Sequence, residues 1–175
     1  MRSLLIIVDY QNDFVIGEFG FERAVKIENA IANKIRKHRF KGSQIIFTMD
    51  INNNGHSPSN GKYNCYNKDD FGYKLYGLIG KEKRIEDICF EKDRYGSCEL
   101  FDFLREHAFD EVEIVGVVTN ICVLVNTILV LTALPSAKIT IDCNCVAAND
   151  QMLGKFAIDV LTGLHINIKN KGVSL

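Results

Sequence analysis

The sequence predicts an α/β protein: a three-layer α/β/α sandwich around a doubly wound, parallel, six-stranded sheet in the order 3-2-1-4-5-6. Short β-branched runs recur six times, separated by stretches with helical spacing of apolar residues. Several of these runs are almost continuously apolar, the pattern of strands covered on both faces. The chain of 175 residues, 47% hydrophobic, is the size of one domain with a sizeable core, so residues 1–175 are expected to form a single domain without linker or repeat.

The elements follow in order. "SLLIIVD" at 3–9 reads as the first strand, and "ERAVKIENAIANKIRKHRF" at 22–40 as an amphipathic helix whose charges lie on the wet face. "SQIIFTMD" at 43–50 is the second strand. The next stretch, 51–72, is rich in Asn, Gly and Ser with almost no aliphatic residue, and reads as a long polar loop, functional or simply mobile. "RIEDICFEK" at 84–92 is the third strand, followed by a helix in "SCELFDFLREHAF", where Ser97 caps and Glu99 sits in the first turn. "EVEIVGVVT" at 111–119 is the fourth strand, and "NICVLVNTILVLTAL" a helix that Pro135 stops. "AKITIDC" at 137–143, a helix in "NDQMLGKFAIDVLTGL" with Asn149 and then Asp150 at its start, and "HINIK" at 165–169 complete the alternation. Right-handed crossovers then follow from the parallel order.

Composition excludes several functions. With 21 basic and 22 acidic residues the net charge is −1, so no overall field draws the chain to nucleic acid or to an acidic membrane. The basic run at 34–42 belongs to a helix face. The apolar run in "MRSLLIIVDYQ" is too short for a signal-peptide core or a bilayer span. Six cysteines without a paired, loop-rich framework point to reduced thiols and a cytoplasmic location, and "CNC" at 143–145 is one residue short of a zinc knuckle.

Chemistry is expected where strands end, because sites in open α/β sheets form beyond the carboxyl ends at the reversal of strand order. Asp9 closes the first strand, Asp50 the second and Lys92 the third, while Cys122 follows the fourth at a helix start. Each alone reads as a cap, a surface charge or a packed thiol. Together they supply what converts a thiol into a nucleophile: a proton acceptor, a cation and a helix N-terminus.

These residues lie in motifs that resemble those of the isochorismatase-like cysteine hydrolases, the superfamily that includes nicotinamidases. "LLIIVDYQNDF" is similar to the family's opening motif, "EKDRYGSCEL" to its lysine motif, and "GVVTNICVLVNT" to its cysteine motif, with Asn120 where Asp is usual. The resemblance implies an Asp9–Lys92–Cys122 triad, a cis peptide bond between Val117 and Val118, and an oxyanion hole from the amides of Val118 and Cys122. It also places Phe14 in the substrate pocket, and implies a small-molecule substrate and a homo-oligomer, dimer or tetramer.

The family's nicotinamidases hold a divalent metal through an Asp-x-His pair and a later histidine. Here Asp50 is kept, but Asn52 and Asn64 stand at the histidine positions, and His56 substitutes only if the loop folds back. Asparagine is a poor ligand for zinc or iron, so no cofactor and no tightly held metal are expected. Three readings stay open: a hydrolase of a small amide or related C–N bond through a thioester, a nicotinamidase with an altered metal site, and a non-catalytic small-molecule-binding module. The vacated imidazole positions favour an aliphatic or ureido substrate over a pyridine ring.

Overall fold

The structure, a computed structural model, describes residues 1–52 and 67–172. β1 (Ser3–Val8) runs through the centre of the sheet, and Leu4 to Val8 are completely buried. Leu4, Ile6 and Val8 enter one core cluster and Leu5 and Ile7 the other, so the strand needs an apolar side chain at every position rather than at alternate ones. β2 (Gln44–Asp50), β3 (Ile88–Lys92), β4 (Glu111–Val117), β5 (Lys138–Ala147) and β6 (Asn167–Lys169) complete a wholly parallel sheet in the order β3-β2-β1-β4-β5-β6, as the sequence predicts.

Two layers of helices flank it. α1 (Asn12–Val15), α2 (Glu22–Lys26), α3 (Glu28–Phe40) and α4 (Gly77–Glu82) put Val15, Ala24, Ile31 and Ile79 on the Leu5 face. α5 (Cys98–Glu106), α6 (Leu124–Ala133) and α7 (Gln151–Gly163) put Leu100, Val130 and Ile158 on the Leu4 face. Strands wound outward from β1 on one side and from β4 on the other leave a crevice between β1 and β4.

Several boundaries differ from the sequence reading. The helix expected over 22–40 is broken at Ile27 into α2 and α3, and the short helices α1 and α4 carry too few residues to show a period. β5 runs on through "CNC", where Cys143 enters the Leu4 core cluster and Cys145 the Leu5 cluster on the other face of the sheet, so the two thiols point apart and form no knuckle. Asp150, rather than Asn149, caps α7, its Oδ1 accepting the N–H groups of Met152 and Leu153. Ser97 caps α5 as expected, accepting from Leu100 N. The register of β4 against β5 shifts between Ile114 and Gly116. Gly116 has φ +121°, and a Cβ there would collide with the Val8 carbonyl oxygen, so only glycine lets β4 close against β1 beside the crevice.

The end of the stretch expected as a polar loop, 51–72, is fastened to the turn after β1: Asp13 N donates to Gly72 O and Asn12 Nδ2 to Phe71 O. The residues that follow are held to the same turn, with Asn12 N donating to Lys74 O, Gln11 Nε2 to Tyr73 O, and Tyr76 N to Tyr10 O. His56 and Asn64 lie outside the described residues.

Candidate active site

The carboxyl ends of β1, β2 and β3 lie side by side, with Val8 in register with Thr48 and Asp50 with Lys92. Asp9 directly follows β1 with φ +47°, a left-handed conformation that aspartate tolerates better than most residues. That turn leaves its carboxylate almost wholly buried. Oδ1 accepts the Thr48 hydroxyl at 2.6 Å, and Oδ2 lies 2.6 Å from Lys92 Nζ. The Lys92 ammonium also reaches Asp50 Oδ2 at 3.0 Å, Arg94 O at 3.0 Å and Cys122 Sγ at 3.6 Å. Asp50 is held in turn from both sides: Asn52 N donates to its Oδ1, and its own N–H donates to the Gln11 side chain at Oε1.

Cys122 lies in a π-helical turn, Thr119–Val123, that leads into α6. The Val118 carbonyl accepts from the amides of both Ile121 and Val123, and the bond between Val117 and Val118 is cis. Asn126, fully buried one turn on, accepts from Ser97 N and donates to the carbonyls of Tyr95 and Cys122. It ties the segment that follows Lys92 to the cysteine turn. Beside Cys122 opens a cavity of ≈ 140 Å³ lined by Asp9, Phe14, Phe19, Tyr95, Val117, Val118, Ile121 and Cys122. Phe14 and Phe19 stack at 5.8 Å between ring centroids.

Charge decides the resting state. Burial pulls the Lys92 ammonium towards its neutral form, but the attraction of Asp9, Cys122 and Asp50 outweighs it and its pKa ends above the ordinary lysine value. Burial pushes the Cys122 thiol well up, Asp9 pushes it further, and Lys92 only partly opposes them. Two carboxylates already face one ammonium, so a thiolate would add a third anion to a dry site. The proton therefore stays on sulfur at rest.

The structure thus brings Asp9, Lys92 and Cys122 together, with Val118 and Phe14 on the same cavity, and adds Asp50 through Lys92. Sequence reasoning missed Thr48, Gln11, Asn126, Phe19, Tyr95 and Ile121. Thr48 carried a signal, since it lies two residues before Asp50 and so shares its strand face. Phe19 and Tyr95 carried none, because a pocket wall assembled from separate loops has no period.

The isochorismatase domain matches residues 3–166. The chain belongs to the isochorismatase family. It is 31% identical over 138 residues, 71% of this chain and 75% of the relative, to the uncharacterized isochorismatase family protein PncA of Bacillus subtilis (strain 168). It superposes with a TM-score of 0.76 on the nicotinamidase SaPncA from Staphylococcus aureus, at 28% identity over 96% of this chain and 97% of that one. The pyrazinamidase of Pyrococcus horikoshii, solved in complex with zinc, shares the fold with a TM-score of 0.81 at 22% identity, over 96% of this chain and 98% of that one.

A metal site in this isochorismatase-family chain can be tested on its donors. Ligand atoms of Asp9, Asp50 and Cys122 lie within 4.8 Å of one another, a set that could hold an ion. Lys92 Nζ already contacts all three, so a divalent cation there would have to displace a buried ammonium. Among the described residues, the family's own metal position offers one carboxylate, Asp50, beside the neutral amide of Asn52. A metal at Asp9, Asp50 and Cys122 is therefore possible only with Lys92 displaced, and positions 56 and 64 of the second set lie outside the described residues.

Proposed function

We propose that the chain cleaves a small amide through a thioester on Cys122, with Asp9 carrying the proton and Lys92 supplying the compensating charge. The class of reaction, hydrolysis of an amide bond, is supported by the family and by its nicotinamidase neighbour. The observation that carries the rest is the single buried ammonium of Lys92 in contact with both Asp9 and Cys122.

The steps follow from the charges. Substrate enters with Cys122 as a thiol and Asp9 as a carboxylate. As sulfur attacks the carbonyl carbon, Asp9 takes the thiol proton, so anionic charge leaves the triad for the new oxyanion. The amides of Val118 and Cys122 receive that charge, a contribution of about 2.7–4 kcal/mol for one such donor. Asp9 then returns its proton to the departing nitrogen, the C–N bond breaks, and an acyl thioester remains. Water attacks the thioester, again with Asp9 as base, releasing a carboxylic acid and restoring the thiol. Lys92 stays charged throughout.

The walls Phe14, Phe19, Tyr95, Val117 and Ile121 suit a flat or compact apolar acyl group. This departs from the aliphatic or ureido preference expected from sequence, because the apolar wall comes from segments that the metal motif does not include. A small molecule is the partner in this reading, and no helix among the described residues is long and apolar enough to cross a membrane.

Ammonia release from a panel of aromatic, aliphatic and ureido amides, with and without a chelator, tests the proposal. We expect the aromatic and compact apolar amides to be turned over, activity to survive chelation, and Cys122→Ala to lose it while keeping a native circular dichroism spectrum. Rapid quenching should trap an acyl adduct on Cys122 by mass spectrometry. Turnover undiminished in Cys122→Ala, or an adduct on another residue, would sink the mechanism.

A further inference from the structure

Every arginine in the chain but one has a partner. Arg36, Arg39, Arg84 and Arg94 pair with carboxylates, and Arg2 and Arg105 lie over aromatic rings. Among the described residues Arg23, on α2, has neither, and its Nε is buried with no hydrogen-bond partner. A guanidinium is always charged and presents a planar fork of N–H donors with no acceptor of its own, so an unmatched one carries a cost that an incoming acceptor removes. With Lys26, Asn149 and Gln151 it lines a cleft of ≈ 300 Å³. Lys26 is already bound to Glu22 at 2.6 Å, which leaves the charge of Arg23 uncompensated there, with two side-chain amides beside it.

This cleft lies in line with the pocket at the thiol. At Phe21 and Asn149 it adjoins a second cleft, of ≈ 390 Å³, and that one adjoins the Cys122 pocket at Phe19, Val118 and Ile121. The Cys122 pocket alone, ≈ 140 Å³, holds little beyond the reacting group. Glu18 and Asp150 line the middle cleft, Asp150 with its Oδ1 occupied by the amides of Met152 and Leu153. An anion that stops there is repelled, whereas one carried past them meets Arg23. Asn120 lines the same cleft, and by standing where aspartate is usual in the family it takes one negative charge off the way to Arg23.

We propose that the substrate is the half-amide of a dicarboxylic acid, its carbamoyl group at Cys122 and its distal carboxylate on the guanidinium of Arg23, between Asn149 and Gln151. The proposal rests on the amide-hydrolase reading and names the substrate class for it. A single unpaired guanidinium matches a monoanion, and its fork takes a carboxylate through two parallel N–H···O bonds. Charge also fixes which end of the molecule goes where. Asp9 and Asp50 already share the one ammonium beside the thiol, so a further carboxylate is unfavourable at that end and favoured at the other.

Benzamides with a para ω-carboxyalkyl chain of one to six methylenes, compared with the matching ω-hydroxyalkyl benzamides, test the proposal by ammonia release. We expect the carboxylate to raise kcat/KM at least about tenfold at one of the longer chain lengths, and not at the shortest, where it stops beside Glu18 and Asp150. Arg23→Gln should bring the two series to within about twofold of each other, chiefly through KM, and Arg23→Lys should recover part of the preference. Calorimetry of the same compounds on Cys122→Ala reads the preference as binding, without turnover. An enzyme that binds the carboxylates better but releases no ammonia would therefore count against the hydrolase reading and not against Arg23. Equal treatment of carboxylates and alcohols at every length, or a preference that survives Arg23→Gln, would overturn the proposal.

Discussion

Thr48 is a small side chain with a disproportionate task. In the proposed mechanism Asp9 takes the thiol proton, and the carboxylate is held for that task by the Thr48 hydroxyl, 2.6 Å from Oδ1, and by Lys92, 2.6 Å from Oδ2. Thr48→Val keeps the shape and removes the donor. We expect kcat to fall about tenfold or more with KM little changed, because a general base contributes only when it is aligned. Thr48→Ser, which restores the hydroxyl, should recover most of the rate; a Val variant as fast as the wild type would remove Thr48 from the site. Cys122 makes the converse point. Its placement beside a carboxylate and a cation looks like preparation for a resting thiolate, yet burial and the neighbouring carboxylates push the thiol up, so the proposed mechanism has Asp9 take the proton during attack rather than before it.

At the scale of elements, the site depends on a contact between two segments that do not follow each other in the chain. Asn126 on α6 accepts from Ser97 N and donates to Tyr95 O and Cys122 O, so one buried amide locks the cysteine turn to the strip that carries Tyr95 into the pocket. Asn126→Leu would fill the space and strand three backbone groups. We expect a loss of about 2–4 kcal/mol in urea unfolding. KM should also rise, since Tyr95 would no longer be held against the substrate cavity. A variant with unchanged stability and unchanged KM would mean that the turn holds itself. In the sequence Asn126 lies within the cysteine motif but reads only as one polar residue on an apolar helix, because its partners Ser97 and Tyr95 are some thirty residues away.

Across the whole molecule, a second buried charge network joins α3 to the sheet away from the triad. Lys34 Nζ lies 2.6 Å from Glu113 and 2.8 Å from Asp142, and His38 Nε2 lies 2.8 Å from Glu113. Burial pushes the Glu113 carboxyl up, but the hydrogen bonds from His38 and Lys34 outweigh that and bring it down to about 2, from an ordinary 4.5. A folded-state value below the unfolded one means stability that is fully present above about pH 4.5 and lost as pH falls towards 2, on the order of 3 kcal/mol. Lys34 shifts the other way, so its share is present below its ordinary 10.5 and lost above it. Glu113→Gln should cost up to about 3 kcal/mol at neutral pH, by removing one of the two carboxylates that face the largely buried Lys34 ammonium. Its unfolding free energy should also vary less with pH between 4.5 and 2 than that of the wild type, and equal slopes for the two would exclude Glu113 as the origin.

The sequence by itself determined the alternation of strands and helices and the positions of Asp9, Lys92 and Cys122 at the ends of their elements, while the strand order followed from the usual arrangement of doubly wound sheets and was borne out by the structure. The first two are local or periodic: a continuous apolar run requires two covered faces, and a polar residue closing such a run falls at the sheet's edge. Only the tertiary structure decided that Asp50 leans on Lys92, that Thr48 orients Asp9, that Phe19 and Tyr95 wall the pocket, and that the Cys122 thiol keeps its proton. Each of these depends on distances between segments tens of residues apart. Electrostatic energies there scale with separation and burial, and neither is written in the order of the residues.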